Sequence, residues 1–201
     1  MKRLAIVTIA VLAAAALAPQ ALEAGVGIKG GFSLAKFSQK SAEPLPFAWE
    51  NLPFFAGGLS FESGFAYVAV QTEVLYVRMG GKYAAAELEF RFDYIQLPVL
   101  LKINVIPAGP VRPFISGGGY GAYLIKAKGI MGGLEPADLT EDYERLDYGL
   151  VGGAGLAFKL PGIGLSIEGR YNHGLRNIIK EPALGESMKN RCLMALAGIS
   201  F

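Results

Sequence analysis

Large apolar residues alternate with small or polar residues along most of the chain after Gly25. A period of two is typical of β-strands that have one apolar face. The alternation predicts eight strands, with less certain facing in the Gly-rich fifth. The apolar faces comprise Val26, Ile28, Phe32 and Leu34; Phe55, Leu59 and Phe61; Val68, Val70, Val74 and Tyr76; Leu88, Phe90, Phe92 and Tyr94, followed by Ile95, Leu97, Val99 and Leu101; Phe114, Tyr120 and Leu124; Tyr148, Leu150, Ala154, Leu156 and Phe158; Ile163, Leu165, Ile167 and Tyr171; and Leu193, Ala195, Ala197, Ile199 and Phe201.

The fourth segment changes phase in its middle. Up to Tyr94 the large apolar residues occupy even positions, and from Ile95 they occupy odd positions. A slip of one residue would turn every later side chain to the other face of the strand. We therefore expect a β-bulge near Tyr94 and Ile95, and a break into two strands is the alternative.

The connections between the segments alternate in length. Short turns are expected at residues 63–64, 104–110 and 160–162, and longer polar loops at 37–52, 79–86, 127–145 and 174–189. Short turns on one side and long loops on the other, with an even number of strands, are typical of outer-membrane β-barrels. If the mature chain starts in the periplasm, all four long loops face the cell exterior.

Two closed barrels could hold eight such strands, and they differ in which face is outside. A soluble ligand-binding barrel has its apolar face inside, whereas a membrane barrel turns its apolar face to lipid. Here the polar face is mostly Gly, Ala and Ser, which suits a crowded interior and not a solvated surface. Charged residues make up only 18% of the chain, against about 25% in soluble domains. We therefore predict an all-β, eight-stranded antiparallel up-and-down transmembrane barrel.

The first residues indicate a secretory signal. Lys2 and Arg3 precede an apolar, Ala-rich stretch from Leu4 to Leu17, and cleavage after Ala24 gives a mature start at Gly25. The predicted organisation is a signal peptide at 1–24 and a barrel at 25–201. A retained anchor helix is the alternative, but the apolar stretch is shorter than the ~20 residues that a span needs. Removing Lys2, Arg3 and Glu23 from 19 basic and 17 acidic residues leaves 17 and 16, and this balance does not suggest nucleic acid.

Several sequence motifs support a family resemblance. They are residues 27–31 (GIKGG), 73–76 (EVLY), 94–98 (YIQLP), 121–124 (GAYL), 147–155 (DYGLVGGAG) and 170–175 (RYNHGL). In order and spacing they resemble the porin-family outer-membrane β-barrel domain, over nearly all of the mature chain. The resemblance implies a barrel in the cell outer membrane, in contact with its lipid, but it implies no known substrate.

The last residue, Phe201, ends an alternating strand. A terminal aromatic residue there resembles the signal that barrel-insertion machinery reads, so that machinery is the expected partner during biogenesis. The oligomeric state is open, and a monomer is favoured.

Charged residues on the predicted inner face could fill the lumen. They are Lys29, Glu62, Glu73, Arg91, Asp93, Lys102, Asp147, Lys159, Glu168 and Arg170. Buried charges must be paired or solvated. We expect an internal ion-pair network comprising Glu73, Glu168, Arg170, Lys29 and Asp147. Because eight strands leave an interior just wide enough for side chains, a filled lumen is favoured over a narrow polar channel.

The sequence offers little evidence of catalysis or ligand binding. His173 has the opposite strand phase from Glu168, so a site shared by the two is geometrically poor, and no metal cluster or cofactor is expected. Cys192 is the only cysteine, so no intramolecular disulfide can form. Interfacial aromatic girdles are expected from Phe54, Phe55, Tyr76, Tyr94, Tyr123, Tyr148, Phe158, Tyr171 and Phe201.

Three functions fit these observations. The first is a non-enzymatic barrel with a structural or surface-interaction role. The second is a narrow pore or a barrel that binds or transports hydrophobic ligands. The third, a lipid-modifying enzyme, is the least supported.

Overall fold

Eight long antiparallel strands form a closed barrel in the part of the chain that the computed structural model describes, residues 23–40, 50, 52–65, 67–83, 88–106, 108–132, 135–181 and 186–201. The strands are β1 (Glu23–Lys40), β2 (Leu52–Gly64), β3 (Val68–Tyr83), β4 (Leu88–Asn104), β5 (Val111–Met131), the two-residue β6 (Ala137–Asp138), β7 (Leu146–Leu160), β8 (Ile163–Gly174) and β9 (Ser187–Ser200). Nearly all of the predicted signal peptide, residues 1–22, lies outside the described residues, so the cleavage site stays a prediction. Among the described residues, no helix has the length and apolar character to cross a membrane.

Each long strand pairs with its neighbour in the chain, and β1 pairs with β9 to close the sheet. One continuous series of register partners runs from Gly25 of β1 through all eight strands and returns to β1 at Ala35, ten positions (35 minus 25) further on. With ~3.3 Å per residue and ~4.8 Å between strands, this stagger corresponds to a strand tilt of about 40°. The predicted up-and-down eight-stranded barrel is confirmed.

Both chain ends of the barrel lie at one rim, which we call the terminal end, with the short turns after β2, β4 and β7. The opposite rim is the loop end. Most of the predicted apolar faces point outward, as shown by the exposure of Ile28 (60%), Phe32 (69%) and Leu97 (53%). The strands β3 and β5 continue to Tyr83 and Met131, well into the segments that were expected to be loops.

The predicted phase change in β4 is wrong. Phe92 and Tyr94 are 0% exposed, and Gln96 and Lys102 further along the same strand are also buried. The even positions therefore point inward throughout, and β4 keeps one phase. What changes is the polarity. Near the loop end Asp93 is outside and aromatic rings are inside, whereas nearer the terminal end Leu97 and Leu101 are outside and polar groups, together with Leu100, are inside.

A register irregularity does occur beside Asp93 and Tyr94, but the extra residue belongs to β5. Asp93 pairs with Lys126 and Tyr94 pairs with Leu124, so Ile125 is left over. Beyond this bulge the alternation of β5 shifts by one position. The expected outward facing of β5 is also wrong, because Phe114, Tyr120 and Leu124 are at most 4% exposed and point into the barrel.

The reversal of polarity occurs on several strands at corresponding positions. Moving toward the loop end, the outward residue changes from Leu34 to Lys36 on β1, from Tyr76 to Arg78 on β3, from Tyr171 to His173 on β8 and from Leu193 to Arg191 on β9. We call this level the polarity boundary. Below it the outside is apolar and the inside holds the charged side chains among apolar ones such as Leu75 and Leu196. Above it the outside is polar and the inside is largely apolar, as in a soluble domain.

Candidate functional site

Four charged side chains from three strands meet inside the barrel. Lys29 of β1 lies 2.9 Å from Glu73 of β3 and 2.6 Å from Glu168 of β8 (Nζ to Oε1 in both cases). Arg170 of β8 donates to both oxygens of Glu73, at 2.5 and 2.7 Å, and to Oε1 of Glu168 at 2.6 Å. All four point inward because they occupy inner-face positions of their strands, and their side chains are at most 7% exposed.

These residues form a closed ring of ion pairs, which we call the charge cluster. Each of the two cations contacts each of the two carboxylates, so the formal charges cancel. Gln71 adds a hydrogen bond from its side-chain amide to Glu73, at 2.7 Å. Removing one member of such a cluster costs about 3–5 kcal/mol, because it leaves an uncompensated buried charge. Within the described residues, Glu168 Oε2 and Arg170 Nε have no hydrogen-bond partner.

Asp147, which was expected in the same network, belongs to a separate polar group nearer the loop end. It accepts hydrogen bonds from the Asn190 amide at 2.9 Å, from the Tyr120 hydroxyl at 3.4 Å and from the Tyr148 backbone at 2.8 Å. Asn190 also lies 3.2 Å from the Tyr94 hydroxyl. The reason is register: Asp147 is the second residue of β7, at the loop end, whereas Glu73 and Arg170 lie deeper in their strands.

An apolar cluster, the loop-end core, packs around this group and fills the lumen toward the loop end. The ring of Phe92 lies edge-on to those of Phe37 and Tyr143, with centroids 5.4 and 4.6 Å away. Ile178 from the segment after β8 is 0% exposed and belongs to the same cluster. Of the described residues, the buried members are Ala35, Phe37, Ala56, Leu75, Val77, Met79, Phe92, Tyr94, Leu100, Tyr120, Ala122, Leu124, Ala127, Val151, Ile178, Met188, Cys192, Met194 and Leu196.

Two connecting segments cover the loop-end core. The Glu144 amide donates to the Ile178 carbonyl at 2.9 Å, which joins the segment after β6 to the segment after β8. Thr140 receives a hydrogen bond from the Ala127 amide on β5 at 3.0 Å. The side-chain and backbone hydrogen bonds from Thr140 to Asp138 lower the pKa of that exposed carboxyl. These contacts fix the covering segments on the barrel.

The terminal end differs, because it contains a cavity of about 570 Å³, which we call the vestibule. Its lining includes Lys29 and Gln71 at the charge cluster and reaches Phe201 at the rim. Lys102 lines it too, 2.7 Å from Glu62 and with its ammonium 4.4 Å from the centre of the Phe114 ring. The described part of the lumen is therefore open between the terminal end and the charge cluster, and filled from the charge cluster toward the loop end.

The remaining predicted residues lie elsewhere. Arg91 and Asp93 are outside the barrel and not in the lumen; they pair with Glu89 and with Arg78, the latter at 2.6 Å. Both lie above the polarity boundary, where the outside of a strand is polar. Lys159 is exposed at the rim of the vestibule.

His173 points outward and its ring is 6.2 Å from that of Tyr171, whereas Glu168 is inside, so the structure brings no shared site together. Within the described part of the chain, no group of three or more His, Cys, Asp or Glu residues could hold a metal ion.

The aromatic girdle is partly as expected. Tyr123, Tyr148 and Tyr171 are exposed near the polarity boundary, and Phe201 is 71% exposed at the terminal end. Tyr94 is buried inside instead. Phe54 packs against the loop-end core.

Sequence reasoning missed the uncharged polar residues of the lumen. Gln71 supports Glu73, and the Asn172 amide lies 3.2 Å from the side-chain oxygen of Gln96 across the barrel. Their positions on the inner faces of the strands could have identified them, but only charged residues were considered for the lumen.

Comparison with known proteins gives a consistent result. Residues 16–180 match the family model described as outer membrane protein beta-barrel domain. The fold is similar to that of Neisserial surface protein A (TM-score 0.57, 14% identity, covering 89% of this chain and 97% of that one). It is also similar to outer membrane protein OprG of Pseudomonas aeruginosa (TM-score 0.55, 12% identity, covering 88% and 95%). No curated protein is similar enough in sequence to match.

Proposed function

Because the chain belongs to the outer membrane protein β-barrel family and lies in the outer membrane, we propose that it is a non-enzymatic barrel with a lumen closed by its own side chains. Its role is structural or surface-interacting, through the segments at the loop end. The observation that carries this proposal is the stacking of two barriers, the charge cluster and the loop-end core.

The two barriers oppose permeation for different reasons. An ion that passed the charge cluster would have to separate pairs such as Arg170 and Glu73, which are almost completely buried. It would then meet the loop-end core, where Phe92 and Leu124 are 0% exposed and offer no polar partner to a dehydrated ion. A narrow channel needs a continuous polar path, and the loop-end core interrupts it.

Single-channel recording on the refolded full chain in planar bilayers tests the closed lumen. We expect no steady conductance steps, with a general porin as the positive control for insertion. Steady steps that change in size in Phe92→Ala but not in Tyr123→Ala, which alters only the outer surface, would show conduction through the lumen and overturn the proposal.

A second candidate is the binding of hydrophobic small molecules, for which the packed apolar side chains of the loop-end core would have to separate and line the site. Native mass spectrometry of the protein purified from cells tests it. Co-purifying apolar molecules that are lost in Leu124→Gln but retained in Leu97→Gln would support binding inside the barrel, because Leu124 faces the core and Leu97 faces outward. Equal retention in both variants would count against it.

A further inference from the structure

The outer surface of β8, β9 and β1 changes abruptly at the polarity boundary. Tyr171, Leu193 and Leu34 are register partners across the three strands, and their exposed fractions are 41%, 53% and 43%. Two residues closer to the loop end, the register partners are His173, Arg191 and Lys36. An apolar row is thus followed directly by a row of three basic or imidazole side chains, which we call the basic row.

The basic row has no acidic counterpart within the described residues. None of its three side chains lies within ion-pair distance of a described carboxylate, and Lys189 adds another outward-facing cation on β9 beyond Arg191. Adjacent strands are ~4.8 Å apart, so Lys36 and Arg191 are neighbours of like charge, an arrangement that destabilises a sheet on its own.

On the opposite side of the barrel, outward-facing cations have carboxylate partners. There Arg78 pairs with Asp93 at 2.6 Å and Arg91 pairs with Glu89. Lys126 of β5 also has Asp93 as its register partner. Cations at the same level are therefore paired with carboxylates on β3 to β5, whereas those on β8, β9 and β1 have no ion-pair partner among the described residues.

We propose that the basic row binds the phosphate group of an acylated lipid headgroup in the leaflet around the loop end. The phosphate accepts hydrogen bonds from Lys36 and Arg191, and the His173 ring lies at the edge of the same site. Arg is suited to this because its guanidinium presents parallel donors to phosphate oxygens. The acyl chains lie along Leu34, Leu193 and Tyr171, which are exposed to lipid immediately below. The basic row therefore lies at the level of the lipid phosphate, and the apolar row lies at the level of the acyl chains.

The test measures binding of lipid A, an acylated disaccharide with phosphate monoesters, to the folded full chain in a detergent with neutral headgroups, by native mass spectrometry. The variant Lys36→Gln/Arg191→Gln is expected to bind about tenfold or more weakly, the loss of at least one charge-assisted hydrogen bond. The control Lys126→Gln/Lys128→Gln removes the same charge from the opposite side and is expected to change binding less than threefold. Heat-dependent gel mobility verifies that each variant is folded.

Two further arms identify what is recognised. Lipid A without its phosphates is expected to bind the wild type as weakly as intact lipid A binds the Lys36/Arg191 variant. Equal binding of the two lipids by the wild type, or equal losses in both double variants, would overturn the proposal. Inorganic phosphate is expected not to displace lipid A at equal concentration, and displacement would show that the row recognises free anions and not a lipid.

Discussion

Replacing Glu73 with glutamine should destabilise the barrel far more than replacing any partly exposed lumen carboxylate. Glu73 accepts hydrogen bonds from Arg170 through both oxygens and also contacts Lys29 and Gln71. Glu73→Gln leaves two buried cations to share Glu168 alone. Removing one partner of a buried ion pair costs about 3–5 kcal/mol.

The assay is urea unfolding of the protein in phospholipid vesicles, followed by intrinsic fluorescence and by the mobility of unheated samples on gels. With a denaturant dependence of about 2 kcal/mol per molar urea, the midpoint of Glu73→Gln should fall by roughly 2 M. The matched control is Glu62→Gln. Its ion pair with Lys102 is partly solvated, with Glu62 36% exposed, and such pairs contribute about 0–1 kcal/mol.

A double variant separates charge balance from local packing. Lys29→Gln/Glu73→Gln leaves the neutral pair of Arg170 and Glu168, so its loss should be smaller than the sum of the two single losses. If the midpoint of Glu73→Gln stays within about 0.5 M of the wild type, as expected for Glu62→Gln, the four side chains do not depend on one another and the reasoning fails.

Three other predictions concern packing and assembly. Gly118→Ala should lower the free energy of unfolding by more than about 2 kcal/mol, because the added Cβ would lie 2.1 Å from a backbone oxygen of β4. In the control Gly121→Ala, on the same strand, the added Cβ meets nothing within 4 Å, so stability should not change. Urea unfolding measures both. Phe92→Ala should cost about 3–5 kcal/mol in the same assay by leaving a cavity in the loop-end core, and a loss under 1 kcal/mol would contradict the packing described. Phe201→Ser should slow assembly in cells without changing refolding in detergent. The control Phe65→Ser, at another exposed aromatic residue of the terminal end, should change neither assembly nor refolding. Pulse-chase labelling with gel mobility measures assembly, and equal effects of the two variants would argue against a terminal signal.

The strand pattern predicted the architecture because lipid and a narrow polar lumen impose a strict alternation over the middle of each strand. The faces of β1, β7 and β9 follow it almost residue by residue. It failed at Phe92 and Tyr94 because the solvent around β4 changes from lipid to water within one strand. An unbroken strand that crosses such a boundary has the same sequence pattern as a strand with a one-residue slip. Nothing local in the sequence distinguishes the two.

The interior was only partly predictable for a related reason. The alternation along each strand identified Lys29, Glu73, Glu168 and Arg170 as inward-facing. Their partners depend on the stagger of the strands around the barrel, and the alternation within one strand does not give that stagger. That stagger places Asp147 with Asn190 and not with Arg170. In β5, three glycines in succession, Gly117 to Gly119, hide the alternation, so Tyr120 and Phe114 could not be assigned to a face.

The closed lumen that we propose leaves the barrel with one opening, at the rim that carries Phe201. A small solute that enters the 570 Å³ hollow has to leave by the same opening. Ions on that side reach the vestibule, which Lys102 and Glu62 line, and among the described residues the loop-end core lies between the vestibule and the opposite side. Salt added to the compartment at that rim therefore screens the partly exposed pair of Lys102 and Glu62, whereas the buried charge cluster is screened much less.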